Sequence, residues 1–105
     1  MQRQVGFVIS IMVLLGSAEA VAQDLSAGKA HYQDVCKNCH GARAQGMASF
    51  PKLAGRNAEY LEKRLKQYRA GEKVGANTAI MKPNAVNLSD KDIADIAAYI
   101  ASRFE

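Results

Sequence analysis

Two thiols and an imidazole are the reactive groups whose spacing stands out in this sequence. Residues 36–40 read Cys-Lys-Asn-Cys-His, and Cys36 and Cys39 are its two cysteines. Thiols three positions apart at a helix end point to the same side. Each can add its S–H across one vinyl group of a porphyrin and form a thioether. The next residue, His40, then falls under the ring and can place a nitrogen on the iron. This C-x-x-C-H spacing is the attachment signature of a c-type haem.

Other uses of the same residues fit less well. A redox-active C-x-x-C belongs to a βαβ setting, and no stretch alternates apolar and polar residues long enough to be a strand. A structural zinc site needs four ligands, and Cys36, Cys39 and His40 are joined only by the distant His31. A disulfide between neighbours three apart would close a tiny loop and stabilise the fold little.

An iron bound by His40 has a second axial position. The candidates are Met47, Met81, His31 and the lysines; Met1 and Met12 leave with an N-terminal signal described below. Met47 lies seven residues after His40. It can reach the far side of a ring, but the tether leaves no room for packing between them. Met81 follows 41 residues after His40, beyond a helix that can wrap the ring. His31 is expected on the solvent side of its helix.

The elements that must position these residues read as helix, loop, helix, loop, helix. The first helix is predicted from Ala27 to about Asn38, with Ser26 as N-cap. Tyr32, Val35, Cys36 and Cys39 follow at spacings of three and four and are expected on one face. Gly28 is expected to allow close approach of another helix, with Tyr32 and Tyr99 nearby. Gly41 suits a helix stop, and residues 41–56, rich in glycine, read as an irregular loop. The second helix is predicted over Ala58–Ala70 between the cap Asn57 and the stop Gly71. Leu61, Leu65 and Tyr68 form its buried stripe, with Glu59–Lys63 and Glu62–Lys66 paired on the wet side. Residues 71–88 read as a second loop. The third helix is predicted from Asp90 to about Arg103, opened by the S-x-x-D pattern of Ser89 and Asp92. Ile93, Ile96, Ala97 and Ile100 are its apolar stripe.

The chain has 105 residues, 49% of them apolar, and a formal charge of +4. Residues 1–4 hold one Arg and no acid, residues 5–15 are an apolar run, and small residues follow. That order is a secretory signal peptide over 1–22, cleaved after Ala20 or Ala22. The run is too short to span a bilayer, which needs about twenty residues. A domain at 23–105 remains. Arg3 and Glu19 leave together, so the +4 persists. So small a domain buries little apolar surface and usually needs a staple, which here should be the cofactor. Lys37, Lys52 and Lys82 lie close in sequence to the haem motif, its loop and Met81. They can ring an exposed haem edge and steer an acidic partner, although an ordinary solvated surface explains them as simply. No set of acid, base and nucleophile suggests an enzyme.

With these residues in view, the chain resembles the class I c-type cytochromes, and the resemblance runs along the whole of 23–105. Gly28 and Tyr32 precede CKNCHG, Phe50-Pro51-Lys52-Leu53-Ala54-Gly55 resembles the family's loop after the motif, and Asn77-Thr78-Ala79-Ile80-Met81-Lys82-Pro83 resembles its distal methionine loop. The ending LSDKDIADIAAYIASRF resembles its last helix. The likeness is to one half of the bacterial di-haem cytochromes c and to their single-haem relatives, and one motif means one haem. The resemblance implies an all-α fold of three main helices around that haem, the first and last crossing. It implies His40 and Met81 as iron ligands and the Pro51 carbonyl as acceptor of the His40 N–H. It implies a monomeric one-electron carrier in the periplasm, serving respiratory or oxidative redox proteins, with no nucleic acid and no lasting membrane insertion. A peroxidase or gas-binding protein with an open sixth position, and a subunit of a larger redox complex, are the alternatives.

Overall fold

The computed structural model describes residue 6 and residues 23–105. Gly6 apart, the signal segment read at 1–22 lies outside the described residues. The first helix, α1, has three parts: an α-helical stretch Leu25–His31, a π-helical turn Tyr32–Cys36, and a final α turn Lys37–His40. It begins two residues earlier than the sequence suggested, because Asp24 rather than Ser26 caps it. The Asp24 carboxylate accepts the Ala27 N–H at 3.0 Å, and the Asp24 N–H donates to Asp95 Oδ1 at 2.8 Å. Gly41, at φ 94°, ends the helix after His40.

The π turn changes which residues share a face. An α-helix advances about 100° per residue, so residues four apart drift about 40° at each step. Gly28, Tyr32, Cys36 and His40 would spread over about 120°. The wider turn, in which the Lys37 N–H reaches back to the Tyr32 carbonyl, removes most of that drift. Of the four residues expected on one face, Val35, Cys36 and Cys39 do share a side, where His31 joins them. Tyr32 turns to the core, and Cys36 packs against it as well.

Helix α2 (Ala58–Ala70) stands where the sequence placed it. The Asn57 side chain accepts the Tyr60 N–H at 2.8 Å, and Gly71 closes the helix at φ 74°. The expected loop 71–88 contains a further short helix, α3 (Thr78–Ala85), with Pro83 inside it. Thr78 builds its entry: Oγ1 accepts the Val74 and Gly75 N–H groups and donates to the Gly75 carbonyl. Helix α4 (Asp90–Arg103) opens with a reciprocal capping box between Ser89 and Asp92.

Helices α1 and α4 cross at Gly28, where a Cβ would lie 2.9 Å from Tyr99 Cβ and against the Asp95 carbonyl. Tyr32, Tyr99 and Phe104 cluster beside the crossing, with ring centroids 5.2–5.9 Å apart. Leu61 from α2 and Ile93, Ile96, Ala97 and Ile100 from α4 complete the core. The described residues form helices and loops, with one isolated bridge between Met47 and Phe50, so the fold is all-α. Among the described residues the ion pairs are Arg69–Asp90 and Lys91–Asp95, each 2.6 Å. Glu59–Lys63 and Glu62–Lys66 do not close, as solvated pairs on an exposed face gain little by doing so.

Candidate haem site

One cavity collects the residues singled out by the sequence. Cys36, Cys39 and His40 reach it from the end of α1, Pro51 from the following loop, and Met81 from α3. Its volume is about 290 Å³, near the lower end of the roughly 300–1,000 Å³ usual for ligand pockets. Leu53, Leu61, Leu65, Leu88, Ile96 and Ile100 supply apolar wall. Leu61 and Leu65 come from α2, Ile96 and Ile100 from α4, and Leu53 and Leu88 from the adjoining loops; all belong to the core or pack against it, so the core and the site share one surface.

The two thiols are half-buried and free. Burial pushes the Cys36 thiol up to about 11. A thiol raised in this way is a poor thiolate nucleophile. Burial also pushes the Tyr32 phenol up to about 12, and its hydroxyl donates to the Gly41 carbonyl at 2.5 Å. That bond ties the residue after His40 back to the start of the π turn.

His40 is only 6% exposed, and its Nδ1 lies 2.9 Å from the Pro51 carbonyl oxygen. A carbonyl only accepts, so Nδ1 carries the proton and Nε2 keeps its lone pair for a metal. Pro51 is held for this task by its neighbours. Ala44 accepts the N–H groups of both Leu53 and Ala54, and the Met47–Phe50 turn closes with bonds of 3.2 and 2.8 Å. Met81 is half-buried, whereas Met47 is 45% exposed and does not line the cavity.

His31, expected on the solvent side, instead lines the cavity beside Val35 and Cys39, with which it shares a four-residue spacing along the helix. The sequence reading also passed over Arg56, Tyr60 and Arg64. They line the cavity too, and both guanidinium groups stack on the Tyr60 ring, 4.8 and 5.4 Å from its centroid. The repeated four-residue spacing 56–60–64 was the available signal. Lys52 lines the cavity and is exposed, as are Lys37 and Lys82.

These features fit a haem. Two free thiols, an imidazole with Nε2 available and an apolar wall match the ring and its metal. Arg56, Arg64 and Lys52 outnumber Asp34 among the lining charges, which matches an anionic group bearing two carboxylates. Cys36 and Cys39 would tether it, and His40 would bind its iron.

The family model for cytochrome c matches residues 25–103. The chain belongs to the cytochrome c family. A cytochrome c-554(548) of Halomonas halodenitrificans is 48% identical over 83 residues, which cover 78% of this chain and 99% of that protein. A cytochrome c4 of Pseudomonas aeruginosa is 40% identical over 98 residues, 90% of this chain and 47% of the relative. The chain thus spans about half the length of that longer relative. A protein of Stutzerimonas stutzeri named thiosulfate dehydrogenase electron acceptor is 45% identical over 68 residues, 63% of this chain and 30% of that protein. As a cytochrome c, this single domain carries one covalent haem and serves electron transfer.

Proposed function

We propose that this cytochrome c is an exported, periplasmic one-electron carrier with His40 and Met81 as the axial ligands of its haem. The observation that carries the reading is the His40–Pro51 bond beside Cys36, Cys39 and Met81 in one cavity. The haem supplies the one-electron couple, and a thioether opposite an imidazole favours the ferrous state and raises the potential. Cys36 and Cys39 hold the ring in a fixed place. The Pro51 carbonyl fixes the imidazole tautomer and its orientation. The apolar wall excludes water, so little reorganisation accompanies a change of charge. Residues 1–22 direct export, with cleavage after Ala20 or Ala22. Exposed Lys37, Lys52 and Lys82 favour docking to an acidic redox protein, in line with a relative named as an electron acceptor.

The test is to express the full chain in a host that matures c-type haem. The haem is expected to stay with the polypeptide through acid acetone and denaturing gels, and the mature N-terminus to be Val21 or Gln23. Replacing Cys36 or Cys39 by alanine should lower holoprotein yield. Haem extracted from the parent protein by acid acetone defeats the reading.

A further inference from the structure

Asn77 breaks a local rule. It occupies the N-cap position of α3, where asparagine normally bonds the first free N–H groups of the helix. Its side chain makes no such bond. Its amide reaches 28 residues back along the sequence and donates to Ser49, to the carbonyl oxygen at 3.0 Å and to Oγ at 3.2 Å. A cap stabilises its helix, so the side chain has forgone a local stabilisation for a distant partner.

Its two ends meet the two halves of the cavity. The Asn77 carbonyl accepts the Met81 N–H at 3.0 Å, so Asn77 lies one turn before the thioether. Ser49 sits in the closed turn two residues before Pro51, whose carbonyl meets His40. We propose that Asn77 and Ser49 form a clasp that holds Met81 in position on the haem iron. The clasp closes a path of short links outside the ring, from Met81 through Asn77, Ser49 and Pro51 to His40. Asn77 is thus a positioning residue. This inference rests on the His40/Met81 reading above.

Asn77→Asp separates positioning from stability. Aspartate caps a helix as well as asparagine does, but it has no N–H to offer the Ser49 carbonyl. The holoprotein is titrated with imidazole, which competes for the sixth position, while the sulfur-to-iron band near the far red reports displacement. Tm is measured alongside. Asn77→Asp is expected to bind imidazole about tenfold more tightly, the usual scale for losing a group that orients a ligand, with Tm near that of the parent. Asn77→Ala should show the same tightening with a lower Tm. Ser49→Gly, which keeps the carbonyl, should show a smaller one.

Parent-like imidazole affinity in both Asn77 variants overturns the clasp. So does a gain in affinity confined to Asn77→Ala and matched by its loss of Tm, because that pattern means general loosening. A parent without the sulfur-to-iron band overturns instead the ligand assignment on which the clasp depends.

Discussion

Gly28 packs so closely against Asp95 that the Asp95 carbonyl occupies the space a Cβ would need. The obstacle is backbone, and Tyr99 Cβ, 2.9 Å from the same point, closes the other side. A methyl group here must push α1 and α4 apart. The Tyr32–Tyr99–Phe104 cluster beside the crossing would then open. Gly28→Ala should cost about 1–3 kcal/mol as an overpacking change. For a domain of this size Tm should fall by at least about 5 °C. A thermal melt of the holoprotein checks this, and an unchanged Tm would show that the helices separate freely.

Asp95 ties the start of the domain to its last helix and should make stability acid-sensitive. It is 3% exposed, and burial alone would raise its carboxyl. The Lys91 ammonium at 2.6 Å and the Asp24 N–H at 2.8 Å outweigh burial and hold it below the ordinary carboxylate range. Asp90, bonded by Arg69, and Asp92, bonded by Ser89, are also held low. A group whose pKa is lower folded than unfolded stabilises the fold above the unfolded value, about 4. That stabilisation disappears as pH falls through the folded value. Melts from pH 7 down to pH 2 should therefore show Tm falling below about pH 4. Asp95→Asn should be less stable than the parent at neutral pH, with the gap shrinking as pH falls. A constant gap across that range would mean that Asp95 acts through shape alone.

Two alanines hold left-handed backbone, and their opposite burial gives a matched pair. Ala48 has φ 49° and is exposed; Ala44 has φ 53° and is fully buried. Such a conformation costs an L-residue roughly 1–2 kcal/mol, which glycine avoids. Glycine's greater freedom in the unfolded chain takes back roughly 0.5–1 kcal/mol. Ala48→Gly should thus gain about 0.5 kcal/mol and raise Tm by about 2–4 °C. Ala44→Gly also loses a buried methyl worth about 0.8 kcal/mol, so it should gain nothing. Equal shifts for the two variants would show that burial of Ala44 contributes little.

What the sequence revealed and what it hid divide along a physical line. Helices α2 and α4 were legible to the residue, because Asn57, Gly71 and the Ser89–Asp92 box are local devices. That Cys36, Cys39 and His40 meet in one cavity was legible for the same reason, since they stand together in one short motif. Asp24 was passed over for Ser26 because the choice depends on Asp95, 71 residues away. Helix α3 was hidden by Gly75 and Pro83, which read as loop; its entry is set by the Thr78 hydroxyl and its anchor is Ser49. The π turn was hidden too. It stands between two partners, α4 on one side and the cavity on the other, and both are distant in sequence.

Met81 and Met47 offer the sharpest contrast in the site. Met81 lines the cavity one turn into α3, while Met47 sits 45% exposed at the bridge to Phe50. A thioether on iron raises the potential relative to harder ligands. Met81→Ala leaves Cys36 and Cys39 intact, so the haem should remain covalently attached. The ferric protein should lose its sulfur-to-iron band. The reduced variant should bind carbon monoxide, which the parent should exclude. The potential should fall by more than about 59 mV, a tenfold change in a one-electron equilibrium. Met47→Ala should change none of these, since its side chain lies outside the cavity. Spectra, carbon monoxide titration and a redox titration of the two variants decide the matter. Loss of the band in Met47→Ala with retention in Met81→Ala would exchange the two roles and leave the haem attachment standing. Retention of parent behaviour in both would mean that no methionine binds the iron, and an open-site haem protein would then be the better account.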